Sequence, residues 1–292
     1  MFFIGGNNMK RVLMVSSEAV PYIKTGGLAD VVGSLPSYVN KEEYDVRVIL
    51  PKYACMNEKF LPELQFVCHF YVDLSWRRQY AGVFKAEHKG ITYYFVDNEY
   101  YFAGSNPYNN IYEDVEKFAY FSKAVLQALP LIDFCPDVLH CNDWQTGLVP
   151  VFLKNVFAND SFYVNIKTVF TIHNMKFQGR WMVNEVRDIT GLPDSLFTAD
   201  KLECYGEANY LKGGCVYADA ISTVSPSYAL DIATAEGGEG LSGLMSARRN
   251  DLYGIVNGID YDEFNPMTDK CMDVNFDIDT VVEGKKANKK AL

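Results

Sequence analysis

The chain has 292 residues, 27 Lys and Arg against 37 Asp and Glu, a formal net charge of −10, 49% hydrophobic residues and 22% charged residues. This is globular composition, so a disordered or fibrous chain is excluded; the length allows one large domain or two modest ones, either able to bury a core. The acidic balance argues against nucleic acid as a partner, and no stretch approaches the roughly 18 apolar residues of a membrane helix, so no membrane partner is expected.

The opening Met1-Phe2-Phe3-Ile4 is too short, and lacks the basic flank, to be a signal peptide. The seven cysteines (55, 68, 135, 141, 204, 215 and 271) are odd in number and show no Cys-x-x-Cys spacing. Reduced thiols in a cytosol are the simple expectation, hence a cytoplasmic protein. The four histidines, at 69, 88, 140 and 173, are scattered, so neither a metal site nor a cofactor is expected.

Residues 1–8 precede a second methionine, Met9, and carry no charge or periodicity; they are expected to be a terminal extension. Residues 11–17 (RVLMVSS) form a short apolar β-branched run, the pattern of a strand buried on both faces of a parallel sheet. Residues 27–39 have helical spacing of Leu28, Val31, Val32 and Leu35, with Pro36 kinking or ending the helix, and residues 44–51 (YDVRVILP) are the next strand. Alternating runs at 66–76 and 79–97, with a turn at Lys89-Gly90, predict an antiparallel hairpin region inserted into the α/β pattern. A helix over 114–129, ended by Pro130, follows. The α/β rhythm then returns: strand 137–140, helix 146–157, strand 167–172, helix 206–218 with Gly213-Gly214 inside it, strand 220–224, helix 226–233 with Pro at its first turn, and strand 252–256. Such alternation implies a Rossmann-like parallel sheet with helices on both faces. From Asp251 to Glu283 there are nine acidic residues and one basic residue, Lys270, and residues 283–292 resemble the opening of a helix.

In open parallel sheets ligands bind beyond the carboxyl ends of the strands. Five strands deliver polar residues there: residues 18–27 after the first, Cys141-Asn142-Asp143-Trp144 after 137–140, His173-Asn174 after 167–172, Ser225 after 220–224, and Asn257-Gly258-Ile259-Asp260 after 252–256. In Lys24-Thr25-Gly26-Gly27, two glycines opening a helix let backbone N–H groups approach an anion, the helix dipole favours negative charge, and Lys24 adds a full one; a phosphate is the natural guest. The spacing is neither Gly-x-Gly-x-x-Gly nor a P-loop, and a tight turn with a solvated lysine is the competing reading. Asp143 can accept from sugar hydroxyls or stabilise positive charge in a transition state; equally, it can cap the helix near Thr146. His173 is a functional histidine or a satisfied core residue, and Asn257-Gly258 a site element or a plain turn.

At these residues the chain resembles a known family. Residues 24–36 (KTGGLADVVGSLP), 142–148 (NDWQTGL), 170–179 (FTIHNMKFQG), 212–227 (KGGCVYADAISTVSPS) and 254–260 (GIVNGID) are similar, in order, to bacterial glycogen synthases and plant starch synthases, the retaining glycosyltransferases of family 5. The resemblance runs from Met9 to the end of the chain. It implies a GT-B fold, two Rossmann-like domains facing across a cleft, and metal-free transfer of glucose from ADP-glucose to the non-reducing end of an α-1,4-glucan with retention. It further implies that Lys24 with the Gly26 and Gly27 amides contacts the diphosphate, that Asp143 lies near the transferred glucose and acceptor, that His173 contacts that glucose, and that Asn174 and Asn257 are cleft residues. Residues 100–107 (YYFAGSNP) lack the aspartate–arginine pair of many relatives, so no role is carried over there.

The organisation expected is therefore an extension at 1–8, the N-terminal Rossmann-like half of a GT-B fold at 9–265, and an acidic interdomain segment at 266–292 leading to an absent second Rossmann domain. Without that domain the chain is expected to be inactive alone. The competing functions are a non-catalytic glucan-binding module and a GT-B transferase using another nucleotide sugar.

Overall fold

A computed structural model describes residues 9–292; the extension expected at 1–8 lies outside the described residues. The polypeptide starts as expected: β1 (Lys10–Val15), α1 (Gly27–Tyr38) and β2 (Tyr44–Pro51), with β1 and β2 parallel. Alternate residues along these strands go to opposite faces, as a pleated strand requires. Leu13, Val15 and Ile49 join one apolar cluster; Met14, Val48 and Leu50 join another, which also holds Leu28 and Val32 of α1. A sheet buried on both faces explains why the strands read as unbroken apolar runs.

The next three strands are β3 (Gln65–Leu74), β4 (Arg77–His88) and β5 (Ile91–Asp97). They form the expected antiparallel hairpin region, with its turn at Lys89-Gly90. β5 pairs parallel with β2, while β4 and β3 continue antiparallel from it, so all three extend the main sheet to its edge. The short α2 (Glu99–Phe102) precedes α3 (Ile111–Leu131), the longest helix, which starts where the Asn110 side chain accepts the Glu113 N–H. Pro130 does not end α3 but sits inside its last turn. A proline cannot donate to the carbonyl four residues back; the Tyr163 hydroxyl donates to that oxygen, on Leu126, at 2.9 Å, so no acceptor is stranded.

β6 (Val138–Asn142), α4 (Leu148–Asn155) and β7 (Lys167–Ile172) resume the α/β alternation. The second half adds β8 (Arg180–Met182), α5 (Val183–Thr190), β9 (Glu203–Cys204) and β10 (Glu207–Asn209), then α6 (Tyr210–Tyr217), β11 (Ala220–Thr223), α7 (Pro226–Asp231), α8 (Ser242–Ala247) and β12 (Leu252–Gly254). The helix expected from residue 206 begins at Tyr210, because Glu207–Asn209 pair with β8 and β9 in a separate three-stranded antiparallel sheet. The two glycines inside α6 have a packing cause: a Cβ on Gly214 would sit 2.4 Å from the Phe170 ring of β7, and one on Gly213 2.5 Å from Leu202.

Among the described residues the main sheet has nine strands in the order β12-β11-β7-β6-β1-β2-β5-β4-β3, parallel from β12 to β5. From β1 the chain winds first toward β2, and later returns to β1's other side with β6. The topological switch point therefore lies at the carboxyl ends of β1 and β6, where such sheets form their ligand crevice. The chain forms two compact units that divide after Val256; Asn257–Leu292 form the second, which contains α9 (Val281–Ala291). Among the described residues no helix is long and apolar enough to cross a membrane.

Candidate active site at the switch point

Beyond β1, Ser17 and Glu18 are buried. A buried carboxylate needs donors, and Glu18 finds them in the turn that follows. It accepts the Thr25 N–H at 2.5 Å, the Thr25 hydroxyl at 2.9 Å and the Gly26 N–H at 3.4 Å. A fourth donor comes from 90 residues away: the Tyr108 hydroxyl lies 2.9 Å from Glu18 and 2.8 Å from the Ser17 hydroxyl. Glu18 thus ties the loop entering α1 to the loop entering α3. The turn was legible in the sequence; Glu18 and Tyr108 were missed as site residues. An acid directly after the first parallel strand was a usable signal for Glu18, whereas nothing local marks Tyr108.

Gly26 and Gly27 face open space: a Cβ at either would meet nothing within 4 Å. Internal packing therefore does not explain these two glycines. Gly33, nearly two turns further along α1, contrasts with them, since its Cβ would fall 2.3 Å from the Val20 carbonyl oxygen. The Lys24 ammonium rests on Asp30 at 2.6 Å, with 41% of its side chain exposed.

Beyond β6, Asp143 has a positive φ, 57°, with ψ 178°, a region that is essentially glycine's and strained for a residue with a Cβ. Its side chain makes no cap bond to the helical turn at Trp144–Thr146, so the capping alternative is set aside. The carboxylate turns instead to the end of β7, accepting the His173 N–H at 2.7 Å and the Asn174 N–H at 3.4 Å. Burial pushes the Asp143 carboxyl up to about 7, with the Glu18 charge adding to the rise and the two backbone donors opposing it. The two acids therefore share one electrostatic neighbourhood.

The His173 ring is set by Asn142, whose Oδ1 lies 3.0 Å from Nε2. Burial, and then neighbouring His140, hold His173 down at about 4, so it is neutral near pH 7. His140 is itself depressed to about 4 by burial, and its Nε2 lies 2.6 Å from the Thr171 hydroxyl, which in turn lies 2.6 Å from that of Ser222. His173 and Asn174 border an open groove of about 590 Å³ with Ser225, Tyr228 and Asp231. The Tyr228 hydroxyl accepts the Met175 N–H at 3.0 Å, joining the segment after β7 to α7. The Asn174 side chain closes its own turn by accepting the Lys176 N–H. Asn257 is the first residue of the second unit. The structure thus brings Asp143, His173 and Asn174 together and holds Gly26 on Glu18.

A family model described as the starch synthase catalytic domain matches residues 11–247. The chain belongs to the starch synthase catalytic-domain family. It is 59% identical to a glycogen synthase of Lachnospira eligens and 56% identical to one of Lachnoclostridium phytofermentans, each match covering 97% of this chain and 59% of the relative. A glycogen synthase of Anoxybacillus flavithermus is 47% identical, over 97% of this chain and 58% of its own length. The solved catalytic domain of starch synthase IV from Arabidopsis thaliana, described as bound to ADP and acarbose, superposes with a TM-score of 0.86 at 30% identity, covering 97% of this chain and 58% of that one. The fold is therefore that of the glycogen and starch synthases, and the chain spans about three-fifths of the length of the relatives it matches.

Proposed function

We propose that this chain is the N-terminal half of the catalytic unit of a glycogen (starch) synthase, which transfers glucose from ADP-glucose to the non-reducing end of an α-1,4-glucan with retention at the anomeric carbon. The observation that carries the reading is the meeting, at the switch point, of a Glu18-held glycine turn with an Asp143-held histidine segment. The starch synthase whose structure resembles this one is described as bound to a nucleotide and to acarbose, which supports a site for both a diphosphate and a sugar.

The residues have distinct work in this reading. Departure of ADP builds negative charge on the diphosphate. The amino end of the 12-residue helix α1 and Lys24 answer that charge, and Gly26 and Gly27 leave room for the phosphates to come close. An exposed lysine–aspartate pair contributes about 0–1 kcal/mol, so Lys24 can leave Asp30 for a diphosphate at small cost. Asp143 faces the glucose as positive charge develops at its anomeric carbon. His173 and Asn174 line the sugar side. Water must be excluded, because it would hydrolyse the donor; closure against a second Rossmann domain performs that exclusion.

Because the chain covers 58–59% of its relatives, half of that cleft belongs to the part it does not span, and it has little or no transferase activity by itself. Transfer of labelled glucose from ADP-glucose into glycogen tests this. The chain alone gives background incorporation, and adding the second domain in trans restores it. Robust turnover by the chain alone overturns the half-enzyme reading, and none after complementation overturns the transfer reading.

A further inference from the structure

Asn142, the last residue of β6, is fully buried, and its amide has three partners. Its Nδ2 lies 3.1 Å from the Val15 carbonyl oxygen and 3.1 Å from that of His140; its Oδ1 lies 3.0 Å from Nε2 of His173. Two of the three partners are backbone carbonyls, which only accept. The amide cannot be turned over, since that would aim Oδ1 at two other carbonyl oxygens, which have no proton to give it. The oxygen therefore must face the imidazole, and a buried amide oxygen against a ring nitrogen requires that nitrogen to carry the proton. A neutral histidine protonated at Nε2 has a bare lone pair at Nδ1. Among the described residues Nδ1 of His173 has no hydrogen-bond partner, and the residue borders the open groove.

We propose that Asn142 is the positioning residue that locks His173 in its Nε2–H tautomer and so presents Nδ1 to the groove as an acceptor for a hydroxyl of the transferred sugar. The sugar half of this statement rests on the transfer reading above; the tautomer half does not. An acceptor of this kind selects a donating hydroxyl and repels an anion, which divides the site between a hydroxyl-reading side at His173 and the anion-reading turn at Lys24. The adjacent His140 cannot perform the same work, because its Nε2 is held by Thr171 inside the sheet.

The test is nitrogen NMR of the chain with labelled histidine, first without ligand, at neutral pH. His173 is expected with Nε2 protonated and Nδ1 bare, favoured about tenfold or more over the alternative. A predominant Nδ1–H form, or an even mixture, overturns the proposal. Asn142→Leu, which keeps the bulk and removes the oxygen, should bring the two tautomers toward equal population. Asn142→Asp should instead raise the doubly protonated fraction. An unchanged His173 spectrum in a folded Asn142→Leu chain overturns the assignment to Asn142, and if that variant does not fold the wild-type spectrum still decides. Excess ADP-glucose is then added to the labelled chain complemented with the second domain in trans. The Nδ1 resonance is expected to move toward that of a hydrogen-bonded acceptor, and an unmoved Nδ1 overturns the hydroxyl assignment. Because the tautomer is read before any sugar is present, its failure leaves the transfer reading standing, and the failure of transfer leaves the tautomer standing.

Discussion

The two halves of the site are built in opposite ways. Around His173 the polar groups used for positioning are spent on other protein groups: Asp143 on two backbone N–H groups, Asn142 on two carbonyls and a ring nitrogen. Around Gly26 the loop is pinned from behind by Glu18, while its outer side is left open and its lysine exposed. One region is preorganised and rigid; the other keeps a vacancy. A sugar hydroxyl must be recognised by precise acceptors, whereas a diphosphate is bound by charge and space, so the contrast suits a nucleotide-sugar site. It also yields measurements that separate fold from function at each position.

The largest expected effect is catalytic. In the chain complemented with its second domain, Asp143→Asn should lower transfer by about 10²–10³-fold. The folded state should stay near wild type, because asparagine has the shape of aspartate, keeps an acceptor oxygen for the two N–H groups and meets the same backbone strain. Equal activity of that variant would remove the charge of Asp143 from the mechanism. Next come the glycines. Gly33→Ala and Gly214→Ala should each cost about 1–3 kcal/mol in urea unfolding, since their Cβ atoms meet Val20 and Phe170 at 2.3 and 2.4 Å. Gly26→Ala should leave stability within about 1 kcal/mol and weaken ADP binding by calorimetry. If it destabilises as much as Gly33→Ala, the open side of the turn has been misread.

The histidine region also carries a pH signature. His140 and His173 sit at about 4 in the folded chain against an ordinary 6.5, and Asp143 at about 7 against 3.8. Between 4 and 6.5 the unfolded chain binds two more histidine protons and the native chain one more on Asp143. The unfolded state gains the net proton, so stability from these groups falls as pH drops through that window, by about 1.4 kcal/mol per unit. From 6.5 to 7 only the Asp143 difference remains, and stability falls as pH rises. Unfolding midpoints across pH should show this maximum near 6.5, with Asp143→Asn losing the upper limb; a profile that strengthens on acidification would break the account. The smallest effect belongs to Lys24→Ala: about 0–1 kcal/mol of stability, because the Asp30 pair is exposed, but a clear loss of ADP affinity.

The strands of the central sheet were legible because burial on both faces writes unbroken apolar runs, as in residues 167–172. The rim that carries the site was legible for the same reason, since each run is followed at once by polar residues. What stayed hidden depends on pairing across long stretches of chain. Glu207–Asn209 read as the start of a helix because strands of two or three residues have no period to show, and their partner Arg180–Met182 lies elsewhere in the sequence. The alternation in β5 announced a strand but not that it would join β2 in parallel. Tyr108 reaches Glu18 across 90 residues, and Asn142 reaches His173 only because β6 and β7 lie side by side.

The backbone of Asp143 sets the spelling of the protein at that position. With φ 57° and ψ 178° the residue lies in a region that only glycine enters without strain, so the aspartate is held there by its contacts. Glycine has no oxygen for the two N–H groups of the His173 segment, so backbone and side chain make opposite demands here, and among residues with a Cβ asparagine alone matches both the size and the acceptor oxygen of aspartate. Asparagine and aspartate differ by an NH2 group in place of one carboxylate oxygen, and so by an ionisable charge. A drifting sequence has almost no neutral route through this residue, and a designer who wishes to change the chemistry here without rebuilding the loop has one substitution to try.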